Sequence, residues 1–278
     1  MTRYWVHDAL VDAEQATVSV LDHGLTVGDG VFETILVRDG SPFALTLHLH
    51  RLARSCAGLG IRPVEEARLR EAVDAVVSGS QVPTDFSRLR ITVTSGIGPF
   101  GSDRGDAEPT LVVTMTPAAP WPPTTTLATV RWTRNERAAT AGLKTTSYAE
   151  NAIALARAKS QGASEAVLAD TLGRLSECTG SNVFVVVDGE VLTPSLDTGC
   201  LAGVTRELVL RWGADVVGMR EAHLPYDVLR SADEVFITSS TRDVHPVVRI
   251  DDHELEAGPV TAMLSQVFES RAREQVDP

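Results

Sequence analysis

Hydrophobic and polar positions follow two different periods along the first half of the chain. Apolar and β-branched residues alternate with polar ones over residues 32–37 and 88–94, and this period of two predicts β-strands. Apolar residues recur three and four positions apart over residues 45–59 and 64–77, which predicts amphipathic helices. The first part of the chain is therefore expected to mix strands and helices.

The same two patterns continue in the second half of the chain. Helical spacing predicts three helices, at residues 149–159, 204–212 and 260–274. Short apolar runs predict four strands, at residues 165–169, 183–187, 191–193 and 234–238. The last of these strands ends in a polar turn made of Ser239, Ser240 and Thr241.

A proline-rich segment separates the two halves. Residues 116–124 include four prolines, and proline interrupts both helices and central strands. This composition predicts an interdomain linker over residues 118–125. It divides the chain into an N-terminal α+β domain, residues 1–117, and a C-terminal domain, residues 126–278. The predicted fold class is α/β in the broad sense, as a two-domain α+β protein.

Composition limits the classes of protein to which the chain can belong. Its mass of 29.8 kDa and 43% hydrophobic content, without an apolar run of the roughly 18 residues that span a bilayer, indicate a soluble globular protein. The net charge of −12 argues against broad binding of nucleic acid or membrane, since both need clustered cations. The start of the chain lacks an apolar leader, and three cysteines lack metal-site spacing. We therefore expect a cytoplasmic protein without a metal site.

The scarcity of lysine draws attention to one amine. Of the 25 Lys and Arg residues only two are lysines, Lys144 and Lys159. Lys159 falls on the polar side of a predicted helix, where a solvated surface cation is the simplest interpretation. Lys144 falls in a small, mostly uncharged segment, where an amine can lose its proton and form a Schiff base.

Three further segments offer groups that bind a phosphate. Residues 201–206 place a glycine where a helix begins, so that the backbone N–H groups of Val204 and Thr205 would point at an anion. The hydroxyls of the turn at residues 239–241 and the side chain of Arg51 could bind the same phosphate. Each segment also has a plain interpretation, as an ordinary helix start, a hydroxyl-rich turn and a surface cation.

Glu177 is the remaining carboxylate of interest. It precedes the apolar strand at residues 183–187 in a stretch poor in cations, so a buried carboxylate there would need a protonated nitrogen as its partner. The alternative is a turn carboxylate that accepts hydrogen bonds from backbone N–H groups.

These segments together resemble one family over almost the whole chain. The segments that carry the resemblance are residues 22–34, 48–52, 143–144, 176–184, 192–194, 201–206 and 232–238. With these motifs the chain resembles the class IV aminotransferases, the fold-type IV enzymes that depend on pyridoxal 5′-phosphate (PLP). The resemblance implies a D-amino acid aminotransferase-like fold and a homodimer, with an active site between the two domains that a loop of the partner chain completes.

The resemblance also implies roles for individual residues. Lys144 would be the catalytic residue, holding PLP as a Schiff base (the internal aldimine), and Glu177 would pair with the pyridine nitrogen. Tyr148, four residues after Lys144, would lie one helical turn away and could hydrogen-bond near the phenolic oxygen of the cofactor, with a half-buried structural tyrosine as the equally favoured alternative. The other implied cofactor-binding residues are Arg51, Ser181, Asn182, Val204, Thr205, Ser240 and Thr241.

Within the family the motifs favour more than one reaction. The spacing from Lys144 to Tyr148 and the stretch at residues 238–247 resemble D-amino acid transaminases, which makes a branched-chain L-amino acid aminotransferase less favoured. Phe32 and Thr34 instead resemble aminodeoxychorismate lyases, in which a threonine near the cofactor is thought to deliver a proton. A D-amino acid transaminase is the preferred prediction, and a 4-amino-4-deoxychorismate lyase is the alternative.

One stretch departs from the D-amino acid pattern. D-amino acid transaminases of the well-known bacterial type bind the substrate carboxylate with an Arg-x-His motif, whereas this chain has Phe100 and Ser102 there. A different cation must then bind a carboxylate, and Arg88, Arg90 and Arg104 are the candidates. A site with fewer fixed cations would also accept (R)-amines that lack a carboxylate.

Overall fold

The computed structural model describes residues 3–278, which divide into two compact units. Unit 1 consists of residues up to Pro120 together with Leu143–Tyr148 and Val276–Pro278, and unit 2 consists of Trp121–Gly142 and Ala149–Gln275. The division at Pro120 falls inside the proline-rich segment. The sequence prediction placed all of residues 126–278 in the C-terminal domain, whereas the segment Leu143–Tyr148, which carries Lys144, lies in unit 1.

Unit 1 is an antiparallel sheet with helices on one face. Its strands are β1 (Arg3–Val6), β2 (Ala9–Asp12), β3 (Gly30–Arg38), β4 (Ser41–Pro42), β5 (Phe86–Thr94) and β6 (Thr110–Pro117). They lie in the order β2-β1-β6-β5-β3-β4. Its helices are the single turn α1 (His23–Thr26), α2 (Leu45–Leu59) and α3 (Glu66–Gly79).

The core of unit 1 follows from the alternation of the central strands. Val31 and Ile35 of β3 and Leu89 of β5 point to one face, where they pack with apolar residues of α2 and α3. Helix α2 ends at Gly60, which has a φ of 69°, a conformation that suits glycine because it lacks a Cβ. The opposite face of β3 and β5 carries the predicted substrate residues.

Unit 2 is built on a sheet that closes on itself. Its strands are β7 (Thr125–Arg134), β8 (Glu165–Asp170), β9 (Leu175–Cys178), β10 (Asn182–Val187), β11 (Glu190–Pro194), β12 (Met219–Ala222), β13 (Glu234–Ser239), β14 (Asp243–Ile250) and β15 (His253–Glu254). Strand β9 pairs with both β8 and β10, so β10, β13, β14, β7, β8 and β9 form a ring. Strand β7 is parallel to β8 and β14, while β10 and β13 are antiparallel.

Three helices pack on the sheet of unit 2, namely α4 (Ala149–Ser160), α5 (Val204–Gly213) and α6 (Pro259–Glu274). Alanines of α4 pack against alanines of the sheet, which allows a close approach of helix to sheet. Helix α6 begins with Pro259, and the buried carboxylate of Glu234 accepts hydrogen bonds from the N–H groups of Val260 and Thr261. Backbone N–H groups in the first turn of a helix have no acceptor within that helix, and the carboxylate of Glu234 supplies the acceptor for these two.

Every strand and helix predicted from the sequence is present, and the mixed α/β fold class is confirmed. The sequence pattern missed several strands, among them the edge strand β2 and its neighbour β1, β6 beside the linker, and β14, which contains Pro246. Within residues 3–278 no helix combines the length and apolar character needed to cross a membrane.

Candidate active site

Lys144 is held beside strand β3 by backbone hydrogen bonds. Its carbonyl accepts from the Phe32 N–H at 3.0 Å, and its own N–H donates to Ser55 Oγ at 3.2 Å. The Thr146 N–H donates to the Gly30 carbonyl at 2.7 Å, so the segment runs alongside β3 as an extended chain. The prediction that Tyr148 lies one helical turn from Lys144 is wrong, because α4 begins only at Ala149.

The amine of Lys144 lies among aromatic rings. Its Nζ is 4.5 Å from the ring centre of Phe32 and 5.8 Å from that of Tyr148. The two rings meet edge to face, with centroids 5.2 Å apart. Lys144 is half-buried, whereas Lys159 is exposed on α4 as predicted. Tyr148 is thus near the amine, and contact with Phe32 orients its ring.

A buried charge cluster lies in the same unit. Glu33 is fully buried on β3 and binds Arg51 of α2 through two hydrogen bonds, Nε to Oε1 at 2.8 Å and Nη2 to Oε2 at 2.6 Å. His48 Nδ1 lies 2.6 Å from the same carboxylate. Burial alone would raise the pKa of Glu33, but the charge of Arg51 and these hydrogen bonds lower it to about 2. Arg51 is therefore a fixed interior cation and not a surface charge.

The three candidate cations for a substrate carboxylate have different surroundings. Arg90 is half-buried, with Cζ 3.8 Å from the Phe32 ring centre and Nε donating to Thr92 Oγ1 at 3.2 Å. Burial lowers the pKa of Arg90, and among residues 3–278 no carboxylate pairs with it. Arg104 instead forms a two-point ion pair with Asp29, and Arg88 is exposed.

Strand register places the predicted substrate residues on one face of unit 1. Phe32 pairs with Thr92, and Thr34 pairs with Arg90. Directly paired residues point to the same side of a sheet. Phe32, Thr34 and Arg90 therefore share the face opposite the apolar core.

Glu177 lies in unit 2, where the structure gives it two partners. Its Oε2 accepts a hydrogen bond from the Leu201 N–H at 3.0 Å, and its Oε1 lies 3.0 Å from Arg134 Nε without hydrogen-bond alignment. The sequence predicted few cations near Glu177, and this prediction missed Arg134. Its position 43 residues earlier gave no local signal, because β7 and β9 come close only through their pairing with β8, which lies between them in the sheet.

The start of α5 has the properties of an anion site. Gly203 precedes the helix, and no side chain caps the N-terminus, so the N–H groups of Val204 and Thr205 have no side-chain acceptor. Asn182 Nδ2 donates to the Leu201 carbonyl at 2.8 Å. A Cβ at position 203 would lie 2.0 Å from Asn182 Oδ1, so only glycine allows this close approach. Asn182 thus shapes the helix start.

The predicted hydroxyl-bearing residues lie at one end of β10 and β13. Asn182 pairs with Thr238 in the register of these strands, Ser181 directly precedes β10, and Ser240 and Thr241 form the turn after β13. Thr238 is 1% exposed, and its Oγ1 has no hydrogen-bond partner within residues 3–278. A buried hydroxyl without a partner is costly, so this end of the sheet can still satisfy a polar ligand.

The residues present fit PLP. Unit 2 offers an uncapped helix start with a glycine cradle, the unsatisfied hydroxyl of Thr238 and the carboxylate of Glu177, which suit a phosphate and a protonated ring nitrogen. Unit 1 offers the amine of Lys144, which suits an aldehyde. Within residues 3–278 no cluster of three or more His, Cys, Asp or Glu side chains is arranged to bind a metal.

Comparison with known proteins agrees with this chemistry. The family profile described as Amino-transferase class IV matches residues 30–250. A D-alanine aminotransferase of Listeria monocytogenes is 31% identical, covering 95% of this chain and 93% of its own. An aminodeoxychorismate lyase of Bacillus subtilis is 26% identical, covering 98% and 95%.

A solved structure shows the same architecture. The crystal structure of a branched-chain aminotransferase from the archaeon Thermoproteus uzoniensis superposes with a TM-score of 0.90 at 27% identity, covering 96% of this chain and 93% of that one. Class IV aminotransferases of this fold depend on PLP. The match of the family profile over residues 30–250, together with the 31% identity to the Listeria enzyme, shows that this chain belongs to the class IV aminotransferases as a PLP-dependent transaminase of fold-type IV.

Proposed function

We propose that the enzyme transfers an amino group between a D-amino acid and an α-keto acid. The observation that carries the proposal is Arg90, a half-buried cation without an acidic partner among the described residues, stacked on Phe32 beside Lys144. Arg90 Cζ and Lys144 Nζ both contact the ring of Phe32, so they are close enough to bind the carboxylate and the amine of one amino acid. The preference for D-amino acids rests on the motif at residues 238–247 and on the D-alanine aminotransferase relatives.

The residues divide the chemistry between them. PLP, when bound, supplies an electron sink for the substrate's α-carbon. Lys144 would hold the cofactor, and its amine would take up and return the α-proton of the substrate. Glu177 would keep the ring nitrogen protonated, and Arg51, Val204, Thr205, Ser240 and Thr241 would bind the phosphate. Arg90 orients the substrate carboxylate on the face of the sheet that carries Phe32 and Thr34.

An aminodeoxychorismate lyase is the second candidate. Thr34 supports it, because its half-buried hydroxyl lies on the same sheet face as Phe32, and a lyase needs a group that delivers a proton near the cofactor. A lyase releases pyruvate without an amino acceptor, whereas a transaminase stops after one half-reaction unless a keto acid is added.

A half-reaction experiment tests the proposal. The purified holoenzyme is mixed with D-alanine, L-alanine, L-leucine or (R)-1-phenylethylamine without a keto acid, and the keto product is counted per active site. The proposal predicts about one pyruvate per site from D-alanine, with sustained turnover only after 2-oxoglutarate is added. If L-leucine were the one amine that reacts, a branched-chain L-amino acid aminotransferase would replace the proposal. If aminodeoxychorismate released pyruvate without an added keto acid, the lyase would replace it.

We also propose that the enzyme is a cytoplasmic homodimer. Large apolar side chains are exposed on unit 1 in two neighbouring segments, among them Val20 at 75%, Leu25 at 66% and Phe100 at 81%. These segments touch, since Asp22 forms a β-bridge with Ile97. An exposed apolar surface of this kind is typical of a protein interface. Three free, buried cysteines are consistent with a reducing compartment.

A further inference from the structure

A second buried carboxylate, Glu165 at the start of β8, is outside the set of residues implied by the family resemblance. Its residue exposure is 5%. One of its oxygens, Oε2, accepts hydrogen bonds from the Gly180 N–H at 3.0 Å and from Ser181 Oγ at 2.9 Å. Glu165 therefore holds the turn between β9 and β10, immediately before Asn182.

The other oxygen of Glu165 binds a cation from a different turn. Arg242 Nη2 lies 3.0 Å from Glu165 Oε1, and the two side chains are 5% and 6% exposed. Arg242 directly follows Thr241 in the turn between β13 and β14, and its N–H donates to the Ser239 carbonyl at 3.1 Å. One carboxylate thus fixes two turns that carry predicted cofactor-binding residues, Ser181 in one and Ser240 and Thr241 in the other.

The remaining contacts of Arg242 hold its guanidinium in one place. Its Cζ lies 3.7 Å from the ring centre of Trp121, and Nη1 donates to Thr125 Oγ1 at 3.3 Å and lies 3.3 Å from His245 Nδ1. Burial lowers the pKa of Arg242, while the charge of Glu165 opposes this shift. Because these contacts fix the guanidinium, it does not move toward a ligand. Arg242 therefore acts by holding the backbone of its own turn in place.

The hydrogen bond from Ser181 also limits what that residue can do. A serine hydroxyl has a single proton to donate, and here that proton is directed at Glu165. Ser181 is therefore committed to fixing its own turn, and within unit 2 direct donation to the phosphate falls to the turn at residues 240–241 and to the start of α5. Burying two charges is costly unless their geometry is well satisfied, which favours a positional role for the pair.

We propose that Glu165 and Arg242 are positioning residues that set the spacing of the two turns around the cofactor phosphate. The inference rests on the PLP-dependent function and assigns the pair to phosphate recognition rather than to the reacting atoms. It predicts that loss of the pair weakens binding of the phosphorylated cofactor and leaves binding of its phosphate-free analogue unchanged.

The test compares the Kd of the apoenzyme for PLP with its Kd for pyridoxal. In Glu165→Gln, and in the double variant Glu165→Gln/Arg242→Gln, the Kd for PLP is expected to rise about tenfold or more, as for loss of well-placed hydrogen bonds to a charged group. The Kd for pyridoxal is expected to change less than about twofold in comparison. The double variant leaves no unpaired buried charge, so it can be measured even if the single variant does not fold.

Glu234→Gln is the matched control. Glu234 is equally buried, but it caps α6 and contacts neither turn, so its loss is expected to lower stability without changing the ratio of the two Kd values. An equal rise of both Kd values in the Glu165 variants, or an unchanged ratio in the folded double variant, would overturn the proposal. If the wild-type apoenzyme did not bind PLP, the cofactor assignment itself would fail.

Discussion

At the scale of single residues, two arginines of unit 1, Arg51 and Arg90, have opposite surroundings. Arg51 is neutralised by the buried carboxylate of Glu33, whereas Arg90 meets an aromatic ring and a hydroxyl but no acid among the described residues. A buried cation without a counter-charge is unfavourable in the free protein. Arg90 is therefore the arginine that gains most from a substrate carboxylate.

Replacing Arg90 should weaken the reaction with amino acids, which carry a carboxylate, but not the reaction with amines that lack one. In Arg90→Met, KM for D-alanine is expected to rise by about 10- to 100-fold, since a charge-assisted hydrogen-bond pair is lost, while the rate with (R)-1-phenylethylamine stays the same or rises. Steady-state kinetics with both substrates measures this effect. Arg88→Met is the control, because Arg88 lies on the same face of the same strand but is exposed. Equal losses in the two variants would contradict the assignment.

Glu33 should make stability depend on pH in a defined range. Its pKa is lowered to about 2 in the folded protein from the ordinary value of 4.5 for glutamate, so it stabilises the folded state above pH 4.5, and this stabilisation is lost as the pH falls toward 2. The shift corresponds to stabilisation on the order of 3 kcal/mol.

Urea unfolding of the wild type and of Glu33→Gln measures this contribution. The difference in the free energy of unfolding should be constant from pH 7 to about pH 5 and should shrink below that. A difference that does not depend on pH would show that the charge of Glu33 is not what stabilises the cluster.

At the scale of the elements, the start of α5 depends on a close contact between Gly203 and Asn182, which leaves no room for a side chain at position 203. Gly203→Ala would bring a Cβ within 2.0 Å of Asn182 Oδ1, so either Asn182 or the helix start must move. We expect destabilisation of about 1–3 kcal/mol, typical of overpacking, together with weaker PLP binding. Thermal unfolding and PLP titration measure the two effects. Gly218→Ala is the control, because the space around it is open, and an equally mild effect at both positions would argue against the cradle.

Local signals in the sequence predicted the helices, whereas contacts between distant strands could not be predicted from it. Helix α2 was predicted to the residue and the other predicted helices to within two residues, because apolar spacing is a local signal, as is the glycine at position 60. Lys144 and Glu177 were singled out as site residues by composition and motifs, and their roles stay predictions. The contacts of Glu177 with Arg134 and of Glu165 with Arg242 could not be predicted, because they depend on the order and register of strands that are distant in sequence.

At the scale of the whole molecule, the exposed apolar residues of unit 1 predict self-association. Phe100→Asp places a charge in the proposed interface, and we expect sedimentation velocity to show a shift from dimer toward monomer. Val216→Asp, in the exposed part of unit 2, should leave the sedimentation coefficient unchanged. A wild-type protein that sediments as a monomer would contradict the homodimer.

We propose that Lys144 holds the cofactor. Because the chain has only two lysines, the modified residue can be identified directly. The holoenzyme is reduced with borohydride, digested, and analysed by mass spectrometry for the pyridoxyl group, beside the variants Lys144→Ala and Lys159→Ala. We predict modification at Lys144 in the wild type and in Lys159→Ala, and none in Lys144→Ala, which should also lack turnover. Modification at Lys159, or turnover retained by Lys144→Ala, would contradict the account.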